Sequence, residues 1–538
     1  MPWLEWLDRG EGIAKAAKAP YRLLEPIKSL DHGAPDTQNM LIEGDNLDAL
    51  RALLPYYGGQ VKCVYADPPF NTGQALDDYD DNLKHSIWLS LIYPAFVLIR
   101  QLMAEDGTLF VHIDDNELAY LIVILDEIMG RKNRVSVVTF KQGATTGHKA
   151  INPGMVSTTN FMVVYAKNKE AWKPNRVYTG RDRDKRYGKF LVNPDAAPTD
   201  WQFTTLTSAV SEATGKKMSE LKKELGDGLE NYLNDFVIAH AKQVAQFVRP
   251  DYEAVSKDAQ DMIDASLANP TKIFHLVRGS FSDMYFIGGQ RIIFYSGKLK
   301  EVEGQLVAGE PLSTLWDDLL SNNLHKEGGV EFPKSKKPEA LIKRCLELAT
   351  QEGDLVLDSY LGSGTTAAVA HKMNRQWIGV ERGEHARTKC QPRLAGVVDG
   401  EQSGISKAMG WKGGGGFRFY KLGPAVFDVN GHIREGIKFE WLAAHVWFTE
   451  TGMPRPSKAL TSPLLGEHEG TAYYLLYNGI LGDRRPDAGN VLTLKVLGDL
   501  PPFEGRKVIY GEATRLSAER LESLGVVFRQ TPYDLKAR

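Results

Sequence analysis

DLVLDSYLGSGTT, residues 354–366, decides the fold, because it has the order of a strand, an aspartate, a glycine-rich turn and the start of a helix. Gly362 and Gly364 permit a tight turn and a close approach of the backbone to a ligand, as in nucleotide-binding βα turns. Glu381 ends the next predicted strand, 23 residues after Asp358, and an acidic residue at about this distance suits hydrogen bonds to ribose hydroxyls. Strand–helix packing alone would explain the glycines but not the complete order, which favours a ligand site.

The glycine-rich turn lacks the features of a phosphate-binding loop. GSGTT (362–366) has neither the lysine of the GxxxxGK[ST] pattern nor the usual GxGxxG spacing. A ligand that contains ribose but no phosphate is therefore preferred over ATP or NAD. S-adenosylmethionine fits this description.

Strands and helices alternate on both sides of this segment. The alternation predicts βαβ units, and therefore an α/β fold with a mostly parallel, Rossmann-like sheet and helices on both faces. The predicted strands are 41–45, 61–67, 107–114, 161–167, 354–358 and 377–381, and the predicted helices are 45–54, 87–103, 116–130, 338–350 and 365–373.

The sequence divides into five parts. Two of them have the alternating pattern, and the part between them is richer in polar helix and contains the hairpin pattern MYFIGGQRIIFYSG (284–297). We therefore expect one α/β domain in two halves, an inserted domain and a small C-terminal α/β domain. The predicted bounds are 1–39 for an N-terminal lead-in, 40–170 and 311–423 for the two halves, 171–310 for the insertion and 424–538 for the C-terminal domain.

A second motif, DPPF (67–70), directly follows the predicted strand VKCVYA. A carboxylate at the carboxyl end of a parallel strand faces the crevice in which open α/β sheets bind ligands. Pro68 and Pro69 fix φ and remove backbone donors, so we expect the Pro68 carbonyl to project as an acceptor beside the Asp67 carboxylate. The two acceptors can take both hydrogens of an amino group, and Phe70 offers a face for a planar ring. For the tetrapeptide alone, a surface turn made rigid by two prolines is an equal alternative.

Together the two motifs resemble those of the DNA methyltransferases that modify amino groups, whose patterns are [DNS]PP[YFW] and DPFxGSGTT. Ser359 and Tyr360 stand where that family usually has Pro and Phe. DPPF precedes the glycine-rich motif by about 290 residues, which is similar to the circularly permuted β class, where the intervening insertion is a target-recognition domain. Segments within 40–170 and 311–422 further resemble the modification subunits of type III restriction–modification systems: EGDNLDALRALLP (43–55), DPPFNTG (67–73), GTLFVHIDDNE (107–117), FPKSKKPEALIKRCLELA (332–349) and GGGFRFYKL (414–422).

This resemblance implies a role for each matching residue. Asp67, Pro68, Pro69 and Phe70 are the expected catalytic residues, which hold a flipped target base. Asp45 would lie near the cofactor adenine, although a helix N-cap explains it equally well. In FPKSKKP (332–338) the loop is one residue longer than the common form, so Lys336 is an alternative to Lys337. The expected S-adenosylmethionine-binding residues are Asp45, Phe332, Lys337, Pro338, Asp358, Tyr360, Gly362, Ser363, Gly364, Thr365 and Glu381.

The first residue of DPPF bears on the target base. In the family, Ser at this place is the usual mark of N4-cytosine enzymes, so Asp67 favours transfer to the N6 amine of adenine in duplex DNA, with base flipping and no metal. Ribosomal-RNA guanine methyltransferases also contain DPPF, but they have the cofactor motif first. Two alternatives remain: an N4-cytosine methyltransferase, and a catalytically silent DNA-recognition subunit of a restriction complex, against which the intact motifs count.

The inserted domain is expected to contact DNA. Its clearest basic run is RDRDKRYGK (181–189), which can contact phosphates, although a solvated loop is the alternative. The candidate DNA-binding residues are Arg181, Arg183, Lys185, Arg186 and Lys189. His112, in the strand FVHID, is expected to pack near the site rather than to act as a base, because the chemistry needs none.

Bulk properties suggest the cellular context. A net charge of −3 does not indicate a polyanion partner, so DNA binding has to come from local patches. Three widely spaced cysteines argue against a disulfide framework or a zinc site and suit a reducing cytoplasm. The N-terminal MPWLEWLDRGEG has no apolar signal segment, so we expect a cytoplasmic protein without membrane spans. The resemblance adds an expected homodimer and a possible restriction (Res) endonuclease subunit as partners.

Overall fold

The computed structural model describes residues 3–71, 84–143, 155–279, 281–302, 304–319, 324–330, 336–428, 430, 432–454, 462–477 and 490–531. The chain forms two compact units. The larger unit joins Met1–Asn175 to Ser313–Arg538, and the smaller unit is Arg176–Leu312. These bounds lie within five residues of those predicted for the insertion, 171 and 310.

An eleven-stranded sheet is the centre of the larger unit. Its middle strands pair in parallel, and antiparallel pairs occur toward both edges, so the sheet is mixed with a parallel centre. In spatial order the strands are Arg22–Pro26, Gly416–Ala425, Met40–Glu43, Gln376–Glu381, Leu355–Asp358, Val61–Ala66, Met103–Ile113, Thr159–Ala166, Arg134–Lys141 and Leu315–Trp316, and His32–Gly33 pairs with Gly416–Ala425.

This strand order interleaves the two halves of the chain. Met40–Glu43 lies between Gln376–Glu381 and Gly416–Ala425 and pairs in parallel with both. Val61–Ala66 pairs in parallel with Leu355–Asp358. The two motif-bearing strands are therefore neighbours in the sheet, although about 290 residues separate them in sequence.

Helices cover the sheet, and their apolar residues form its core. His85–Leu102 has eleven buried residues, among them Trp88 and Phe96, as its almost uninterrupted apolar sequence predicts. The predicted helix 116–130 is an α-helix only over Leu118–Leu125, followed by a π-turn. The α-helices of the larger unit are Arg9–Lys18, Asn46–Tyr57, His85–Leu102, Leu118–Leu125, Glu339–Ala349, Thr365–Lys372, Gln391–Val398, Phe439–Thr451, Leu494–Asp499 and Ala518–Ser523.

The described residues of the smaller unit form two antiparallel sheets and four α-helices. The predicted hairpin is confirmed: Met284–Ile287 pairs with Gln290–Phe294, and Gly288 and Gly289 have φ of 54° and 75°, as a two-residue turn with positive φ requires. The six-stranded sheet is Phe203–Thr205, Lys189–Leu191, Val244–Val248, Gln290–Phe294, Met284–Ile287 and Phe274–Leu276, and the three-stranded sheet is Leu299–Val302, Gln305–Pro311 and Tyr178–Arg181. The helices are Leu206–Thr214, Met218–Leu225, Leu229–Ala239 and Lys257–Ala268.

The segment after residue 424 has a sheet of its own but is not a separate compact unit. Its core includes Tyr21 and Leu23 from the N-terminal part, packed with Val446 and Tyr510. Its four strands are Leu464–His468, Thr471–Leu475, Arg506–Gly511 and Val526–Gln530, and Val491–Leu492 pairs with Ala513–Thr514. Across the described residues, no helix is long and apolar enough to cross a membrane.

Candidate active site

The two sequence motifs meet at the carboxyl edge of the parallel strands. Asp67 follows the strand Val61–Ala66, and Asp358 ends the adjacent strand, with Leu357 beside Val64 in the register. Ligands of open α/β sheets bind at this edge, so the arrangement brings the predicted catalytic turn and the predicted cofactor turn to one crevice.

The glycine-rich turn is held by the two acidic residues that flank it. The amide of Gly362 donates to Oε2 of Glu381 at 2.6 Å, and the amide of Tyr360 donates to Oδ1 of Asp358 at 2.9 Å. Gly362 and Gly364 have φ of 58° and 85°, which residues with a side chain rarely adopt. The glycines are thus required by the backbone, and Glu381 contributes to the turn itself.

Asp358 is a perturbed carboxyl group. Burial, and then the neighbouring charges of Asp67 and Glu381, raise its pKa to about 7, although hydrogen bonds from Thr366 and from the Tyr360 amide oppose this shift. Buried groups with shifted pKa values concentrate at functional sites. Asp358 can therefore change its charge near neutral pH.

A buried ion network lies under the glycine-rich turn. Arg393 donates through Nη1 to Oγ1 of Thr365 at 2.8 Å and to Oγ of Ser363 at 3.2 Å. Glu339 accepts from Nη2 of Arg393 at 2.9 Å and from Nζ of Lys372 at 2.7 Å. The side chains of Glu339, Lys372 and Arg393 are fully buried. The hydroxyls of Ser363 and Thr365, predicted as cofactor-binding, therefore connect the glycine-rich turn to this buried network through Arg393.

The surroundings of Asp67 contain a cation and two rings. Nζ of Lys337 lies 2.8 Å from Oδ2 of Asp67 and 4.8 Å from the ring centre of Phe70. The ring of His112 lies 5.0 Å from that of Phe70, and its Nδ1 is 3.5 Å from Oδ1 of Asp67. Lys337, predicted as cofactor-binding, thus contacts the two side chains that were predicted to hold the target base.

His112 packs against the site, as predicted. It is completely buried, and its two ring nitrogens lie 3.1 Å from the Tyr65 hydroxyl and 2.9 Å from Nδ2 of Asn160. Burial, together with the charge of Lys337, lowers the pKa of His112 well below its usual value. The ring is therefore neutral at pH 7 and places no further positive charge beside Asp67.

The DPPF turn is anchored on both sides. Nε1 of Trp88 donates to the Pro69 carbonyl at 2.7 Å. Asn71, which has φ of 58°, donates to Oε1 of the buried Glu117 at 2.7 Å, and Nδ1 of His85 lies 3.0 Å from the same oxygen. These anchors fix where the Asp67 carboxylate and the Phe70 ring lie. Trp88, Glu117 and His85 were not predicted, because no local pattern marks them.

Three further predicted cofactor residues have defined places. Asp45 is the N-cap of the helix Asn46–Tyr57 and accepts from the amide of Leu47 at 3.0 Å. Pro338 directly precedes the helix Glu339–Ala349. Phe332 lies outside the described residues. Lys336, the alternative to Lys337, donates to the Val330 carbonyl at 2.9 Å.

Comparison with known proteins places this site in a family. The sequence model of the DNA methylase family (N6_N4_Mtase) matches residues 61–391, more than half of the chain and a range that contains both motifs. The chain belongs to the DNA methylase family.

Several curated relatives of this DNA methylase are modification subunits. The probable type III restriction-modification enzyme HindVI Mod subunit of Haemophilus influenzae is 34% identical over 74% of this chain and 55% of its own length. The EcoP15I Mod subunit of Escherichia coli is 24% identical over 78% and 71%, and the EcoPI Mod subunit of Escherichia phage P1 is 25% identical over 70% and 62%. The chain therefore spans between about half and 71% of the length of these relatives.

In the smaller unit of this DNA methylase, carboxylates accompany the predicted basic run. Arg181 pairs with Glu310 at 2.5 Å, and Glu230 takes both Arg183 at 3.3 Å and Lys185 at 3.2 Å. Arg186 pairs with Asp184 at 2.7 Å, and Nζ of Lys189 lies 5.7 Å from the Phe247 ring centre. The run carries less net positive charge than the basic residues alone suggest.

Proposed function

We propose that this chain transfers a methyl group from S-adenosylmethionine to the N6 amine of adenine in duplex DNA. The observation that carries the proposal is the neighbouring position of the Asp67–Phe70 turn and the Asp358–Gly364 turn on adjacent parallel strands. An amine held at the first turn lies beside a methyl donor held at the second. Such placement converts a bimolecular reaction into a step within one complex.

The chain's own groups act on the target amine. The exocyclic amine is a poor nucleophile because its lone pair is delocalised into the ring. The Asp67 carboxylate and the Pro68 carbonyl would accept its two hydrogens, favour a pyramidal nitrogen and stabilise the positive charge that develops there. Phe70 would stack on the flipped base, a contact worth about 1–3 kcal/mol. A neutral His112 supports this chemistry, since a charged imidazole would oppose the developing cation.

The glycine-rich turn has the chemistry expected for the cofactor. Asp358 and Glu381 end neighbouring parallel strands and offer carboxylates to a ribose and to cationic groups. Within the described part of the chain, the hydroxyl of Ser359 is buried without a hydrogen-bond partner, so the turn retains a polar atom for a ligand. When bound, S-adenosylmethionine supplies the methyl group on its sulfonium. Of the other predicted cofactor residues, Gly362 and Gly364 permit close approach, and Asp45 and Tyr360 remain proposed contacts.

The biological setting follows from the relatives. Three of them are named type III Mod subunits, and we propose that this chain is the modification subunit of a similar system. A Res endonuclease subunit and a second copy of this chain are the proposed protein partners. We propose that the basic run Arg181–Lys189 of the smaller unit contacts DNA phosphates. On binding, the phosphates would replace the carboxylates that pair with these basic residues.

Label transfer tests the proposed function. The protein is incubated with tritiated S-adenosylmethionine and genomic DNA from a host that lacks DNA methylation, and the labelled nucleoside is identified by chromatography. We expect labelled N6-methyldeoxyadenosine; labelled N4-methyldeoxycytidine would favour the cytosine alternative. Absence of label, with cofactor and DNA both bound, would favour a silent recognition subunit.

The matched variant is Asp67→Ala. Because it removes an acceptor for the amine but leaves the glycine-rich turn in place, it should abolish transfer while cofactor binding by calorimetry stays within about twofold of the wild type. Long-read sequencing of DNA from expressing cells then gives the recognition sequence. Full activity of Asp67→Ala would show that the base pocket lies elsewhere.

A further inference from the structure

Lys337 has contacts that do not suit a cofactor ligand. Its ammonium lies 2.8 Å from Oδ2 of Asp67, and it lies over the Phe70 ring, 4.8 Å from the centre. Its side chain is about nine-tenths buried, and that of Asp67 is 18% exposed. The charge pair is therefore largely shielded from water. Water and salt screen the attraction within such a pair less than that within an ion pair on the protein surface.

These two contacts are the ones that a flipped base requires. The target amine has to donate to the Asp67 carboxylate, and the base has to stack on the Phe70 face. The Lys337 ammonium donates to that carboxylate and makes a cation–π contact with that ring. A base and this ammonium cannot both occupy the position between Asp67 and Phe70.

Charge also prevents the Lys337 ammonium and the target amine from sharing the Asp67 carboxylate during the reaction. The target amine becomes positive as it attacks the methyl group, and an ammonium in contact with the same carboxylate would oppose this charge. Since His112 is neutral, Lys337 is the cation shown next to Asp67 in the described structure. Displacement of the ammonium would remove this opposing positive charge from the carboxylate that receives the target amine.

We propose that Lys337 occupies the position of the target amine until a flipped base displaces it. This inference rests on the proposed function and assigns Lys337 to the base pocket. In its absence, Asp67 would be a poorly solvated carboxylate beside an apolar ring, which is costly. Lys337 also favours bases with an exocyclic amine, because a keto group cannot donate to Asp67 and so cannot replace the ammonium.

Steady-state and single-turnover methylation test this exchange. Duplexes that carry the recognition sequence are methylated by the wild type, by Lys337→Met, by Lys337→Arg and by Lys132→Met. Met keeps the length of the chain without its charge, and Arg keeps the charge. Lys132 is an exposed lysine of the same unit, so its variant controls for a general loss of positive charge.

We expect Lys337→Met to lower KM for DNA by about tenfold, since the base no longer competes with a charge-assisted contact. The single-turnover rate at saturating DNA should stay within about twofold, because the ammonium has left before the reaction. Lys337→Arg should keep a KM near the wild-type value, and Lys132→Met should not lower KM.

Three results would overturn the inference. A higher KM for Lys337→Met would mean that Lys337 contributes to DNA binding, and an unchanged KM would mean that it does not compete with the base. A slower single-turnover rate at saturating DNA would mean that the ammonium stays and acts in the reaction. Failure of the proposed function is separate, because the wild type itself would then transfer no label to any duplex.

Discussion

At the scale of single residues, the protonation state of Asp358 links the site to the stability of the fold. Burial and the charges of Asp67 and Glu381 raise its pKa to about 7. In an unfolded chain an aspartate titrates near pH 4. The folded state therefore binds this proton more strongly than the unfolded state does.

The raised pKa predicts a pH dependence of stability. The contribution of Asp358 to the free energy of unfolding is fully present below about pH 4 and is lost as the pH rises through about 7. Above that pH the folded state holds a buried carboxylate charge, and unfolding returns this charge to water. Asp358→Asn cannot ionise, so the free energy of unfolding should fall less between pH 5 and pH 8 in this variant than in the wild type. Urea unfolding at both pH values measures the difference. Equal pH dependence in the two proteins would contradict the prediction.

At the scale of single elements, Asp45 has two roles that can be tested separately. It caps the helix Asn46–Tyr57, and it is a proposed contact of the cofactor. The Asp45 carboxylate accepts from the amides of Leu47 and Asp48 at the helix start. Asp45→Ala should therefore lower the free energy of unfolding by about 1 kcal/mol, whereas Asp45→Ser, which keeps a capping oxygen, should lower it much less. Urea unfolding measures both. Calorimetry with S-adenosylmethionine then decides the second role: weaker binding by Asp45→Ser would assign the carboxylate to the cofactor.

The ion network under the glycine-rich turn gives a second prediction for an element. Glu339→Gln removes the carboxylate that pairs with the buried Arg393 and leaves Lys372 with its second partner, Glu401, so the free energy of unfolding should fall by about 3–5 kcal/mol. The control is Asp318→Asn, which breaks the pair between Arg344 and the half-exposed Asp318 and should cost less than about 1 kcal/mol. Chemical unfolding compares the two variants. Similar losses of unfolding free energy in the two variants would mean that the buried network contributes little to the stability of the protein.

Elements of this fold were predictable where the signal is local. The strand Leu355–Asp358, the glycine-rich turn and the DPPF turn each have a pattern within about ten residues. Partners from distant segments have none. Arg393 and Glu339 lie 54 residues apart, and Lys337 reaches Asp67 across 270 residues, so a single sequence does not pair them. The basic run was predicted from its own charges, whereas Glu230 and Glu310, which neutralise part of it, come from elsewhere in the chain.

On the scale of the whole molecule, the C-terminal segment is part of the larger unit. Tyr21 and Leu23 share a core with residues beyond 424, and the Val426 amide donates to the Tyr21 carbonyl at 2.8 Å. A chain that ends at Ala425 would expose these residues to water. Its urea midpoint should therefore fall below that of a chain that ends at Thr531. Equal midpoints would show that the segment folds independently of the sheet.

The position of the strand Met40–Glu43 also governs how the protein can be made. Both of its neighbours, Gln376–Glu381 and Gly416–Ala425, leave the ribosome more than 300 residues later. Domains generally fold as units during synthesis. The chain of the smaller unit is continuous over Arg176–Leu312, so this unit can fold before the later strands of the large sheet are synthesised. Until then the first strands of that sheet have unpaired edges. Translation that stalls between these points would leave a nascent chain with an exposed apolar strand, and such a chain is prone to aggregation and to chaperone binding.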